Sequence, residues 1–446
     1  MILFACLVLL VALGIWERAA TRRARAAVPI RVHVNGTRGK STVTRLVAGA
    51  LREAGVPTLA KVTGTAPRLI LPDGSEQAVV RRAPPSIREQ GWLMRRAARE
   101  GARAVVAECM AIRPDLQWTS EREMLHATIG VITNARLDHT DVMGRTLEEI
   151  AQSLANSIPR GSVLVTGDER LHPLLSGRCA AAGTRLVVAE HMGQVGQVGQ
   201  VGAERPWMLE NVATALAVTR ELGVEDGVAL RGMQKAAPDP GAADGGTVTI
   251  VGRQAAWVDA TAANDPESLD LLVTGLKPGA TTAGGSATTA ASDAAPSGSS
   301  GIVARGLSPA KHLVCVYNHR ADRPLRLLAF AKWSDVFRGS AAILLTGDRP
   351  SLSLVARVRR LCAGADLRFV TRKRLEATIE EVLGGASSTS DGASPASGRT
   401  SSAPADDRRR VDSLIAYCGN TRGWTRPLWL TRERPGTRDT HQEPPC

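Results

Sequence analysis

"RVHVNGTRGKSTVTRLVAGALREAG", residues 31–55, carries two periodicities joined by a glycine turn. Ile30, Val32 and Val34 alternate with polar residues as a strand does. After the turn, Val43, Leu46, Val47, Ala50 and Leu51 recur at helical spacing, and Gly55 ends the run. Glycines at 36 and 39 let backbone N–H groups point inward, the helix N-terminus adds its dipole, and Lys40 supplies a mobile cation. The ligand for such a turn is a phosphate, and Ser41 offers a hydroxyl to Mg²⁺. The usual GxxxxGK[ST] spacing needs glycine at 34, where Val34 stands, so this is a shorter variant of the P-loop. A structural turn accounts for the glycines but not for Gly-Lys-Ser-Thr in sequence. Gly36, Thr37, Arg38, Gly39, Lys40, Ser41 and Thr42 are therefore the candidate nucleotide-binding residues.

Outward from that stretch, "ARAVVAEC" (102–109), "ATIGVITN" (127–134) and "GSVLVTGD" (161–168) read as further strands, each leading through a polar loop to helical text. This is the alternation of an α/β domain with a mostly parallel sheet. "ERPWMLENVATALAVTRELG" (204–223) reads as a long helix. Proline and glycine gather around 235–248, where a domain boundary is expected. Beyond it, "TVTIVGRQAAWVDA", "HLVCVYNH" and "AAILLTGD" supply strands for a smaller C-terminal α/β domain. The expected organisation is an anchor at 1–17, a basic segment at 18–28, an ATP-binding central domain at 29–240, a second domain at 246–434 and a polar tail at 435–446. Segments 193–202, 279–301 and 384–408 are repetitive or rich in Gly, Ser, Ala and Thr, and read as disordered insertions with little to bury.

A magnesium nucleotide needs acidic or imidazole ligands from neighbouring strand ends. Glu108 closes "AVVAE", and His139 lies in "ITNARLDHTDVMG" just past the next strand, both at the edge where β/α sheets bind ligands. Singly, Glu108 could be a loop carboxylate and His139 a cap neighbour; with Ser41 they form a candidate metal set.

The chain has 446 residues, 43% hydrophobic and only 3% aromatic, which favours small aliphatic cores over an all-β sandwich. A net charge of +13 comes mostly from scattered arginines without interleaved aromatics, so nucleic acid is not the expected partner. Acidic substrates or an anionic membrane face suit it better, with a merely solvated basic surface the plainer account. Seven cysteines, odd in number and without a CxxC pair, suggest neither a disulfide framework nor a zinc site. Residues 2–16, "ILFACLVLLVALGIW", are uncharged and precede Arg18, Arg22, Arg23 and Arg25. Fifteen helical residues rise about 22 Å, so a span of about 30 Å draws on flanking residues. A single-pass membrane anchor with a cytoplasmic body is expected; an interfacial helix or a cleaved signal would also account for the stretch.

"GTRGKST", "ECMA", "ITNARLDHTDVMG", "ENVATALA", "VGRQ" and "DATAANDPESL" resemble, in order and approximate spacing, the motifs of the Mur ligase superfamily, which includes folylpolyglutamate synthases. The apolar start, "ILPDGSE", "YNHRADRPLR" and "CGNTRG" are similar within it to poly-γ-glutamate synthase subunits of the CapB/PgsB type. The resemblance implies an ATP-dependent amide ligase that activates a carboxylate as an acyl phosphate and passes it to an amine. Glutamate, a growing γ-linked chain and other membrane subunits would be the partners. It implies catalytic roles for Lys40, Glu108, His139 and Arg253, metal ligation by Ser41, Glu108 and His139, an adenine contact from Asn211, a phosphate contact from Arg253 and a ribose contact from Asp259. Asn264, Asp265 and Pro266 match the loop that follows.

Three departures qualify the likeness. Ser153 stands where many relatives carry a carbamylated lysine, "NDP" replaces "HNP", and no sugar-nucleotide-binding domain lies between the apolar start and the P-loop. A Mur-like ligase for another carboxylate, or a nucleotide-driven assembly or export ATPase, are the alternative readings. "VTGT" (62–65) either lines an acceptor pocket or is a capped turn; Arg320 and Arg323 either meet an anionic chain or form surface ion pairs; "CGNTRG" is favoured as a glycine turn. His33 and His126 lack ligand spacing and are expected to pack or face solvent.

Overall fold

The computed structural model describes residues 1–64, 67–81, 84–190, 208–239, 244–250, 253–261, 265–274, 307–385 and 411–419. The chain divides into two compact units, Met1–Ala242 and Ala243–Cys446. The stretches expected as insertions at 193–202 and 279–301, and the tail at 435–446, lie outside the described residues; of 384–408, only Gly384 and Gly385 lie inside, as the end of a helix.

In the first unit, β1 (Ile30–Asn35), β2 (Thr58–Val62), β3 (Arg68–Ile70), β4 (Glu76–Ala78), β5 (Ala104–Glu108), β6 (Ile129–Ile132), β7 (Val163–Thr166) and β8 (Arg185–Val188) form one sheet, in the order β4-β3-β2-β5-β1-β6-β7-β8. All pairs are parallel except the β3–β4 hairpin and its junction with β2. Every residue of β5 is buried, as expected for a central strand covered on both faces. Val43, Leu46, Val47, Ala50 and Leu51, the stripe legible in sequence, belong to one core cluster with Val32 and Val34. The register pairs Val34 with Glu108 and Asn35 with Ile132, so the loops after β5 and β6 flank the loop after β1. That edge of a parallel sheet is where ligands bind.

The N-terminal helix α1 (Ile2–Ala27) is longer than the apolar run and is the one described helix long and apolar enough to cross a membrane. Residues 2–16 are exposed, whereas the last third of the helix docks on α3, the helix Arg88–Arg99. Thr21 and Ala24 are buried, the Arg95 guanidinium donates to Thr21 Oγ1 at 2.9 Å, and Glu17 pairs with Arg88 at 3.1 Å. The basic segment is thus a continuation of the apolar helix seated on the α/β body.

In the second unit, β9 (Asp244–Ile250), β10 (Arg253–Asp259), β11 (Leu307–His319), β12 (Ala342–Gly347), β13 (Asp366–Phe369) and β14 (Val411–Gly419) take the order β13-β12-β11-β14-β10-β9, parallel but for β9. The scarce aromatics concentrate here: Tyr317, Phe330 and Phe337 make mutual edge-on contacts, with ring centroids 5.3–5.9 Å apart. Asp259, His319 and Gly419 all close parallel strands, which brings "VDA", "YNH" and "CG" to one edge.

Candidate active site

The P-loop follows from the local sequence. Gly36 and Gly39 have φ of 129° and 78°, in the region L residues avoid. Gly39 caps α2 (Lys40–Glu53), so Lys40, Ser41 and Thr42 form its first turn. Both glycines are also needed for space: a Cβ on Gly36 would lie 2.1 Å from Thr133 Oγ1, and one on Gly39 would lie 2.0 Å from Asn211 Oδ1. Asn211, read as a nucleotide contact, therefore sits directly against the loop. We expect Gly39→Ala to weaken ADP binding at least tenfold by calorimetry, since the left-handed backbone alone costs about 1–2 kcal/mol and Asn211 must also move; unchanged affinity would contradict this packing.

The loop is braced by residues the sequence reading did not single out. Asn134 Oδ1 accepts from Thr37 Oγ1 at 2.8 Å and from the Arg38 amide at 3.0 Å. Asn134 Nδ2 donates to Glu210 at 3.2 Å, and Glu210 also pairs with Arg136 at 3.0 Å. Arg38 pairs with buried Asp138 at 2.9 Å, tying the P-loop to the segment that carries His139. "ITNARLDHTDVMG" and "ENVATALA" were legible as motifs, but nothing in their spacing marks Asn134, Asp138 or Glu210 as loop supports.

Ser41 and Glu108 meet: Ser41 Oγ donates to Glu108 Oε2 at 2.9 Å, and the Thr63 amide donates to the same oxygen at 2.7 Å. Glu108 is buried, whereas His139 is partly exposed, with φ of 49° and its amide donating to Asp138 Oδ1 at 2.9 Å. Lys40 folds back over the loop, donating to the Gly36 carbonyl at 2.7 Å and the Thr37 carbonyl at 3.3 Å. Burial lowers the Lys40 pKa, while Glu108 acts against that shift. Lys40, Glu108 and His139 line one cavity of about 360 Å³, together with Gly36, Thr63 and Arg81. Its size lies in the small-ligand range.

These residues suit a magnesium nucleotide. The loop glycines pack against Thr133 and Asn211 with no room for a Cβ, and a hydroxyl and a carboxylate of the right hardness already converge. Ser41, Glu108 and His139 would hold the cation. Among the described residues no three His, Cys, Asp or Glu side chains cluster as a closed metal site, so phosphate and water oxygens would complete the shell. Ser153 is buried in the helix Leu147–Leu154, its hydroxyl without a hydrogen-bond partner among the described residues, and it is not part of the cavity lining.

His33 is packed, as expected, and has a carboxylate partner. It is buried on β1, with Nδ1 2.8 Å from Glu121 Oε2, and Glu121 Oε1 accepts from the Ala127 amide at 2.8 Å. Burial opposes its charge, but the Cys109 thiol and the Glu121 carboxylate outweigh that and raise its pKa to about 10. In the second unit, Asp259 is buried and accepts from Thr261 Oγ1 at 2.6 Å and from the Thr261 amide at 3.1 Å. Arg253 opens β10, but its side chain and Asn264 lie outside the described part, as do residues 420–423 of "CGNTRG". Arg320 pairs with Asp322 at 2.5 Å.

The profile of the poly-γ-glutamate synthase CapB C-terminal domain matches residues 247–428, and that of the Mur ligase middle domain matches residues 34–187. PGA synthase CapB of Bacillus subtilis (strain 168) is 38% identical over 270 residues, which are 60% of this chain and 68% of that protein. Capsule biosynthesis protein CapB of Bacillus anthracis is 37% identical over 265 residues, 59% of this chain and 57% of that protein. A crystal structure of Mycobacterium tuberculosis folylpolyglutamate synthase complexed with ADP and AMPPCP aligns with a TM-score of 0.53 at 13% identity, over 91% of this chain and 92% of that one. At that identity the likeness is one of fold. With both domain profiles in chain order and a relative matched over two thirds of its length, the chain belongs to the CapB family of poly-γ-glutamate synthases.

Proposed function

We propose that this chain joins glutamate through γ-amide bonds, using ATP to activate a γ-carboxyl as an acyl phosphate. The observation that carries this reading is the convergence of Lys40, Glu108 and His139 on one cavity beside the P-loop. Mg-ATP, when bound, supplies the phosphoryl group and a divalent cation that spreads its charge. The loop amides and the α2 N-terminus hold the phosphates. Lys40 leaves the Gly36 and Thr37 carbonyls to neutralise charge on the transferring group, where one well-placed donor is worth about 10²–10³-fold in rate. Ser41, Glu108 and His139 fix the cation. Asn211, at its place against Gly39, holds the nucleotide, and Arg253 and Asp259 take the family's phosphate and ribose roles. A glutamate amine then attacks the acyl carbon, and phosphate leaves.

The apolar start of α1 anchors the chain in a membrane, with the body on the cytoplasmic side, as the arginines behind it favour. Other membrane subunits would receive the polymer. The test is hydroxylamine trapping: detergent-extracted protein with Mg-ATP and glutamate or a short γ-linked oligomer yields γ-hydroxamate and ADP. ADP release without hydroxamate, with every glutamyl donor and with membrane partners supplied, would instead support an assembly ATPase or a ligase for another carboxylate.

A further inference from the structure

The cavity has a second cationic wall that no nucleotide role accounts for. Arg81, in the chain between β4 and α3, lines it beside Thr63 and Gly64. Its guanidinium is held by Glu89 through Nε at 2.8 Å and Nη2 at 3.1 Å, leaving Nη1 outside that pair. Behind Glu89 stands Lys61, with no solvent exposure and Nζ 2.8 Å from Glu89 Oε2. Two cations share one carboxylate, and the one that reaches the cavity is the arginine. Burial lowers the Lys61 pKa, and Glu89 opposes the shift; Arg81 and Lys61 hold Glu89 below the usual carboxylate range against the effect of its own burial. A lone surface pair would be near neutral, but this wall keeps an excess positive charge oriented by packing.

We propose that Arg81 binds the α-carboxylate of the glutamyl residue whose γ-carboxyl is activated, and so determines that the bond formed is γ rather than α. The inference rests on the ligase reading above. A glutamyl donor presents two carboxylates, and only one may reach the phosphoryl group. The P-loop end of the cavity has Lys40 and the α2 N-terminus for phosphate. Arg81 reaches the cavity from a different part of the chain, with the planar fork suited to a carboxylate. Glu89 and buried Lys61 fix its orientation, so little side-chain freedom is lost on binding. With the α-carboxylate held there, the γ-carboxylate is the one left to accept the phosphoryl group.

The experiment compares glutamate with 4-aminobutyrate, which keeps the amine and the reacting carboxylate but lacks the α-carboxylate, in the hydroxylamine assay. The parent should prefer glutamate by about 10- to 100-fold, the range of a charge-assisted hydrogen bond. Arg81→Gln should raise KM for glutamate by a similar factor, leave KM for ATP unchanged, abolish the preference over 4-aminobutyrate and release some α-hydroxamate. Arg81→Lys should restore part of the preference. ADP affinity by calorimetry reports folding, and if Arg81→Gln fails to bind ADP, Arg81→Lys decides the question by the same readouts. Retained preference and KM for glutamate, or a rise in KM for ATP alone, overturns the assignment while the ligase reading stands. A parent that forms no hydroxamate from any glutamyl donor overturns both.

Discussion

Lys40→Ala lowers γ-hydroxamate formation by about 10²–10³-fold and leaves the protein folded. Among the described residues the lysine donates to two loop carbonyls, so its removal costs about 1 kcal/mol of stability or less. In the reaction the same side chain meets the developing charge of phosphoryl transfer, where a preorganised cation in a secluded site has its largest effect. Stability and activity therefore separate. Thermal unfolding should shift by only a few degrees while hydroxamate disappears. Comparable losses in both would mean that Lys40 is a structural brace of the loop, and the catalytic assignment would fail.

Glu121→Ala should destabilise the first unit by about 3–5 kcal/mol, because it strands a buried imidazolium. His33 is fully enclosed and Glu121 is its carboxylate partner, 2.8 Å away. The pH dependence has a definite sign. The folded pKa of about 10 stands above the ordinary 6.5, so the stabilisation from His33 is complete below pH 6.5 and is lost as pH rises through 10. Urea titrations of the parent at pH 6.5, 8 and 10 should show falling stability, and the variant should show a shallower slope, since the effect of Cys109 remains. A variant with the parent's slope, or a loss under about 1 kcal/mol, would contradict the charged pair.

The parts of this molecule legible in sequence are those with a local period. The strand and helix around "NGTRGKST" could be read because alternation gives way to the helical repeat within twenty residues. Glu108 and His139 could be placed because each follows a strand, and parallel strands bring their ends to one edge. Partnerships between distant loops were not legible. Glu121 meets His33 across 88 positions, and Asn134 meets Arg38 across 96; no pattern within either segment encodes the other. Glu121 also lies in a π-helical turn, Ser120–Leu125, where ordinary helical spacing misplaces a side chain. The β3–β4 hairpin, three residues per strand, is too short for a period, and it carries the chain toward Arg81. At the N-terminus composition separates an apolar run from a basic one, yet the backbone is one helix; what divides it is the docking of Thr21 and Ala24 on α3.

Activation as an acyl phosphate transfers a γ-carboxyl oxygen to phosphate. The direct measurement is to supply glutamate or a γ-linked oligomer labelled with ¹⁸O in its carboxylates, run the ligation with Mg-ATP, and read the released phosphate by ³¹P NMR. An acyl phosphate leaves one ¹⁸O in each phosphate, and Lys40→Ala abolishes the signal. Phosphate released without label, in preparations that still make γ-linked product, would show that the carboxyl is never phosphorylated.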